Sequence, residues 1–172
     1  MNLIKNYLDD NIFTIDNFLT EEECAELLVF CKDPNNWITM NKDSEYRNKI
    51  WDDNIKFLEQ NFEKIHENIF LRLHSIFNEG FIHLDRHVTR LKPLQSMPAH
   101  TDEPHNGVLK GIVMYINDDY SGGELNYPEH NLNYKPKARS LACHPSTYLH
   151  EVTQINNNNR YYITGFIKEK NI

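Results

Sequence analysis

The sequence predicts a mainly β protein with flanking helices (α+β), and three observations lead there. From Phe81 onward the apolar residues fall in short alternating runs broken by Pro, Gly and Asn, the texture of a β barrel or sandwich core. Upstream of Phe81 they recur instead at helical spacing. A length of 172 residues with 40% hydrophobic and 12% aromatic content suffices for one core. The chain is therefore read as one domain over residues 1–172, with 1–80 as a helical buttress and 81–172 as the β core.

Taken in order, Ile12-Phe13-Thr14-Ile15 reads as a short strand. Thr20-Glu21-Glu22-Glu23 then forms a capping box, in which the Thr hydroxyl and the Glu three residues on satisfy orphan amides. The helix it opens carries Cys24, Leu27, Leu28 and Cys31 at i, i+3, i+4 and i+7 and stops at Lys32-Asp33-Pro34. A second, longer helical pattern runs through Trp51, Ile55, Leu58, Phe62, Ile65, Ile69 and Leu73 and ends near Asn78-Glu79-Gly80. A coiled-coil seam would share that spacing but also needs a regular charged flank, so a helix buttressing a sheet is the reading adopted. Strand-like runs follow at 82–91, 108–116, 124–127, 139–143 and 160–168. Asn156-Asn157-Asn158-Asn159 reads as a turn, because Asn tolerates left-handed backbone. The polar stretches 34–48 and 128–135 read as solvated loops, with lids as the alternative.

Composition excludes several classes. A net charge of -7 with 18 scattered Lys and Arg speaks against broad nucleic-acid binding. No apolar run reaches the length of a membrane span, and the N-terminus carries charges where a signal peptide needs an apolar core, so a cytoplasmic chain is expected. Cys24, Cys31 and Cys143 lack CxxC spacing and are expected as reduced thiols, the first two packing on one helical face.

The chemistry-bearing residues lie in the β half. Residues i and i+2 of a strand share a face, so a His-x-Asp pair presents an imidazole and a carboxylate to one metal. The motif occurs twice. His83-Leu84-Asp85 lies inside a strand-like run with nothing downstream to complete it, and is read as polar sheet positions. His100-Thr101-Asp102 instead enters the turn-rich Glu103-Pro104-His105-Asn106-Gly107, at a strand end where sites usually sit. His150 is the third candidate, with His144 close to it in sequence. Two His and one carboxylate on one face of an octahedral metal leave open positions, as in non-haem Fe(II) oxygenases. Arg160 can fork onto a carboxylate, and alternation puts Tyr162, Thr164 and Phe166 on its face. On position alone Arg160 would be a surface strand charge. His105 and His130 read as turn histidines, and His66 and His74 as solvent-facing helix positions.

The ordered set His100-Thr101-Asp102, Tyr115-Ile116-Asn117, Gly122-Gly123-Glu124, Pro136-Lys137-Ala138-Arg139, His150-Glu151-Val152 and Arg160 resembles the prolyl 4-hydroxylase-like family of 2-oxoglutarate and Fe(II)-dependent oxygenases. The segment from Ile12 to Cys31 also resembles that family's opening. The resemblance implies a double-stranded β-helix, a jelly-roll of cupin type, with iron held by His100, Asp102 and His150 and no catalytic side chain beyond those ligands. It further implies that Arg160 and Thr164 take the distal carboxylate of 2-oxoglutarate, that Tyr115 reaches the same pocket and Leu125 lines it, and that ascorbate serves as reductant. Two departures stand out: Leu91-Lys92-Pro93-Leu94 occupies the place of a common Tyr-x-x-Gly, and His144 that of a usual aromatic.

The expected activity is hydroxylation of an unactivated C–H bond, by analogy on a prolyl residue of a peptide or protein. A free amino acid or another small molecule is the alternative substrate. Nucleobase demethylation is disfavoured because only Lys168 and Lys170 follow Arg160, without a second arginine. A non-catalytic metal-binding jelly-roll module is the rival from another class, and iron-dependent decarboxylation of 2-oxoglutarate separates the two.

Overall fold

The computed structural model describes residues 3–39, 53–58, 60–78, 80–102 and 107–170. Among these residues the chain is mostly β, with two α-helices. Every strand pairing is antiparallel.

The larger sheet has eight strands. Its spine is β14 (Arg160–Lys168), flanked on one side by β7 (Val108–Tyr115) and on the other by β4 (Phe81–Leu84) and β5 (His87–Leu91) in succession. Beyond β7 lie β11 (Leu141–Pro145), β2 (Phe13–Ile15) and β1 (Asn6–Tyr7), and beyond β5 lies β3 (Ile55–Phe57). A four-stranded sheet runs β10 (Leu132–Tyr134), β9 (Leu125–Tyr127), β12 (His150–Val152), β6 (Met97–His100). β8 (Ser121–Gly122) pairs separately with β13 (Ile155–Asn157).

Helix α1 (Glu21–Lys32) starts at the capping box: the Glu23 amide donates to Thr20 Oγ1 at 3.1 Å and the Thr20 amide to Glu23 Oε2 at 3.0 Å. The same Glu23 carboxylate receives Arg72 at 2.5 Å, tying α1 to α2 (Glu63–Ile76). At the other end, the buried Lys56 on β3 donates to the Phe30 carbonyl at 2.8 Å, a cation at the negative end of the helix dipole. Leu27, Ile69 and Leu73 pack with Met114, Tyr161, Ile163 and Ile167 in one buried cluster, so both helices cover one face of the large sheet. Each such fully buried aliphatic side chain contributes about 1.5–3 kcal/mol. The opposite face, carrying Arg160, Tyr162 and Thr164, looks into a cavity.

Several expectations need correction. The longer helix begins at Glu63, after a 3₁₀ turn at Gln60–Phe62, while Ile55–Phe57 is strand β3, paired with His87 to Thr89 of β5. An open sheet edge outcompeted helical spacing there, because packing against neighbours overrides intrinsic periodicity. Trp51, residues 40–48 of the expected first loop, and His105 lie outside the described residues. The run at 82–91 is two strands, broken at Asp85-Arg86. The expected loop at 128–135 is a 3₁₀ turn, Pro128–His130, followed by β10, which folds back on β9 through a left-handed Asn131 at φ 49°. His66 is half-buried and its Nε2 lacks a hydrogen-bond partner, whereas His74 is exposed. Cys24, Cys31 and Cys143 are all buried and none is in a disulfide.

Candidate active site

Strand register assembles the site. His100, the last residue of β6, is the direct cross-strand partner of His150, the first of β12. Directly opposed side chains on one face of an antiparallel pair are neighbours, and the two imidazole centroids lie 4.3 Å apart. Two residues beyond β6, Asp102 is fixed by its amide, which donates to the Ser146 carbonyl at 2.9 Å. One ligating atom from each of His100, Asp102 and His150 gathers within 4.8 Å of the others.

Hydrogen bonds set the imidazole tautomers. His100 Nδ1 lies 2.8 Å from the Pro98 carbonyl and His150 Nδ1 lies 2.9 Å from the Tyr148 carbonyl. A carbonyl only accepts, so each Nδ1 carries a proton, and in the neutral ring Nε2 then keeps its lone pair, the form that binds a metal. Burial pushes His150 down to about 3, with the neighbouring His144 adding to the shift, so the ring stays neutral at ordinary pH. For Asp102, burial pushes the carboxyl up, but the hydrogen bond from His144 and the surrounding imidazoles outweigh it and the net direction is down.

The triad opens into a cavity of about 460 Å³ between the two sheets, walled by β4, β5, β7 and β14 on one side and by β6, β9 and β12 on the other. Arg160 lines it and is 1% exposed, with Nε and Nη1 lacking any hydrogen-bond partner. Its guanidinium carbon lies 5.1 Å from the Tyr115 ring centroid and 4.8 Å from that of Tyr162. The buried hydroxyls of Tyr115, Tyr120 and Tyr162 are likewise unpartnered. A buried cation whose only neighbouring acceptors are neutral phenol oxygens has no counter-charge, an expensive arrangement unless an anion completes it. Burial pushes the Tyr162 phenol up to about 12, so it remains a donor.

The other expected residues fall as follows. Leu125 lines the cavity. Thr164 does too, but its hydroxyl donates to Asp85 Oδ2, leaving only lone pairs for anything else. Tyr115 is fully buried behind the guanidinium. His144 is 1% exposed, with Nε2 3.3 Å from Asp102 Oδ2, and it stays outside the triad's ligand cluster. His130 serves structure, bonded to Asp9 at 2.9 Å and stacked on Tyr148. His83, Asp85 and His87 line the cavity opposite the triad, so the second His-x-Asp faces the same space. Sequence reasoning did not bring in Tyr120, Tyr127 or Gly111. A signal existed only for Gly111, since a glycine inside a strand marks close approach of a neighbour; a side chain there would collide with Asp102 Oδ2 and His144 Nε2.

No protein-family model matches the chain. In sequence it is 27% identical over 179 residues to a PKHD-type hydroxylase of Crocosphaera subtropica, covering 91% of this chain and 78% of that protein. In fold it is similar to a viral collagen prolyl hydroxylase from Paramecium bursaria Chlorella virus-1, solved as its 2OG complex: TM-score 0.71, 16% identity, 94% of this chain and 97% of the other. It is also similar to a Trichoplax adhaerens prolyl hydroxylase solved with a hypoxia inducible factor peptide: TM-score 0.70, 19% identity, 93% and 84% covered. Fold and site thus point to one class, the prolyl hydroxylase-like 2-oxoglutarate and Fe(II)-dependent oxygenases, and the chain resembles it in sequence and in backbone.

Proposed function

We propose that the chain is a 2-oxoglutarate-dependent Fe(II) dioxygenase with a jelly-roll core, which hydroxylates an unactivated C–H bond, foremost of a prolyl residue in a peptide or protein. The observation that carries the reading is one cavity with the two ligand-candidate imidazoles and a carboxylate on one wall and, on another, a buried guanidinium whose Nε and Nη1 lack partners. The donor set fits iron, being two imidazoles and one carboxylate with room left toward the cavity. The orphaned Arg160 N–H groups fit an acidic co-substrate that presents a carboxylate in the plane of the fork.

In this reading His100, Asp102 and His150 hold the metal, and the Pro98 and Tyr148 carbonyls hold the two rings at the right tilt. Arg160 anchors the distal carboxylate, with the Tyr115 and Tyr120 hydroxyls as further donors, and Leu125, Val113 and Val152 keep the space between apolar and dry. Bound there, iron with 2-oxoglutarate would supply the oxidising chemistry: the co-substrate would lose CO2 to become succinate, one atom of dioxygen going into succinate and the other into the C–H bond, with ascorbate keeping the iron reduced. Support for a peptide substrate comes from the Trichoplax neighbour, which was solved with one. The test is succinate formation with Fe(II), 2-oxoglutarate and ascorbate, read beside a mass shift of about +16 on a proline-containing peptide library. Modified free proline and unmodified peptides would move the substrate to small molecules. No succinate with any substrate, together with unaltered metal binding by His100→Ala, would sink the proposal.

A further inference from the structure

We propose that His144 is a positioning residue of the metal centre, which holds Asp102 by Oδ2 so that Oδ1 is left on the side of His100. The inference rests on the reading of His100, Asp102 and His150 as metal ligands.

A carboxylate accepts and cannot donate, so at 3.3 Å from Asp102 Oδ2 the His144 Nε2 carries the proton. In the neutral ring Nδ1 is then the acceptor, and it takes a hydrogen bond from the Tyr127 hydroxyl at 2.9 Å. Tyr127 is fully buried and its phenol is raised well above its ordinary value, chiefly by burial, so it stays a donor. The chain therefore has one direction, from Tyr127 O–H to Nδ1 and from Nε2–H to Asp102. Both nitrogens of His144 are committed, and neither has a lone pair left for a metal. The other oxygen, Oδ1, lies 4.0 Å from His100 Nε2.

Packing reinforces the arrangement. The His144 ring centroid lies 4.2 Å from that of His150 and 5.5 Å from that of Tyr127, so the same ring braces a second ligand. Across the β11–β7 ladder His144 pairs with Gly111, whose missing side chain leaves the space in which Nε2 meets the carboxylate. Groups that orient a metal ligand in this way typically tune affinity by about 10–100-fold.

The test is titration of the metal-free protein with Co(II), followed by calorimetry and by the visible spectrum of the bound ion. His144→Phe is expected to weaken binding by about 10–100-fold while circular dichroism and melting show a folded protein. His144→Gln, whose amide N–H can replace Nε2–H, is expected to recover most of the loss, a rescue that a packing role would not give. Tyr127→Phe and Gly111→Ala perturb the same contact from its two other sides and are expected to weaken binding in step, so the inference stays open to refutation if His144→Phe misfolds. Wild-type affinity in His144→Phe beside lost binding in His100→Ala overturns the role of His144 and leaves the metal site standing. Equal, weak binding by wild type and His100→Ala overturns the metal site itself. Electron spin echo measurements with Mn(II) that count three coupled imidazoles, where two are expected, would make His144 a ligand and overturn its positioning role.

Discussion

Replacing Arg160 with Met separates what the guanidinium does for the fold from what it does for the co-substrate. In the ligand-free protein the substitution removes a 1% exposed cation whose Nε and Nη1 have no partner, which relieves a desolvation cost of about 1–4 kcal/mol. It also takes the cation from the faces of Tyr115 and Tyr162, losing cation–π contacts at 5.1 and 4.8 Å and about 1–2 kcal/mol each at a desolvated site. These oppose each other, so ligand-free stability is expected to stay within about 2 kcal/mol of wild type. Binding behaves differently. Truncating one partner of a buried charge pair costs about 2–5 kcal/mol, a loss of roughly 30-fold to several thousand-fold in Kd. With Mn(II) in place of iron and 2-oxoglutarate at about 100 times the wild-type Kd, wild type gains about 2.7 kcal/mol and the variant under about 1. At about 2–4 °C per kcal/mol for a chain of this size, the melting temperature of wild type rises by about 5–10 °C and that of the variant by 3 °C or less. Differential scanning fluorimetry reads both numbers. An unchanged 2-oxoglutarate response in Arg160→Met would refute the assignment, and a ligand-free variant that fails to fold would show that the cation is a structural element with partners of its own.

Three further outcomes are expected. His100→Ala abolishes the Mn(II)-induced rise in melting temperature, a larger effect than the about 10–100-fold that outer-sphere changes cost, with calorimetry as the check. Thr20→Ala removes the hydroxyl that accepts from the Glu23 amide at 3.1 Å and lowers stability by about 1 kcal/mol in urea unfolding, without altering metal affinity. Burial raises Cys31 from 9.0 to about 12, so above pH 9 the unfolded chain loses its proton first and stability falls as pH rises toward 12; Cys31→Ala flattens that fall, and native protein at pH 8 is slow to react with a thiol reagent.

Period-two alternation was enough to place Tyr162 and Thr164 on the same face as Arg160, because β14 is long, regular and paired on both sides. The capping box at Thr20 was equally readable, since all its atoms lie within one helical turn. Readings failed where a distant partner decides. Ile55 and Leu58 keep helical spacing with Phe62, yet the edge of β5 draws Ile55–Phe57 into the sheet. Thr164 lines the cavity as alternation implies, while the carboxylate that its hydroxyl meets comes from Asp85 at a strand break that no local pattern marks. His144 and His150 are both buried beside Asp102, and their roles differ only through Tyr127 and the Tyr148 carbonyl, contacts that no local pattern records. The direct pairing of His100 with His150 depends on the register of two short strands, and register is a property of the sheet, not of either strand.

That pairing has a mechanical side. β6 is an edge strand of the four-stranded sheet among the described residues, and only His150↔His100 and Val152↔Met97 register it against β12, with an irregularity between them. A metal bridging His100, Asp102 and His150 would pin this loosely held edge at its C-terminal end, closing the long loop between the ligands as a clip does. Its binding energy would then count toward folding. The strand that carries one ligand and leads into another would be the first to fray when the ion leaves and the last to settle before it returns, so local order and readiness for chemistry would rise and fall together.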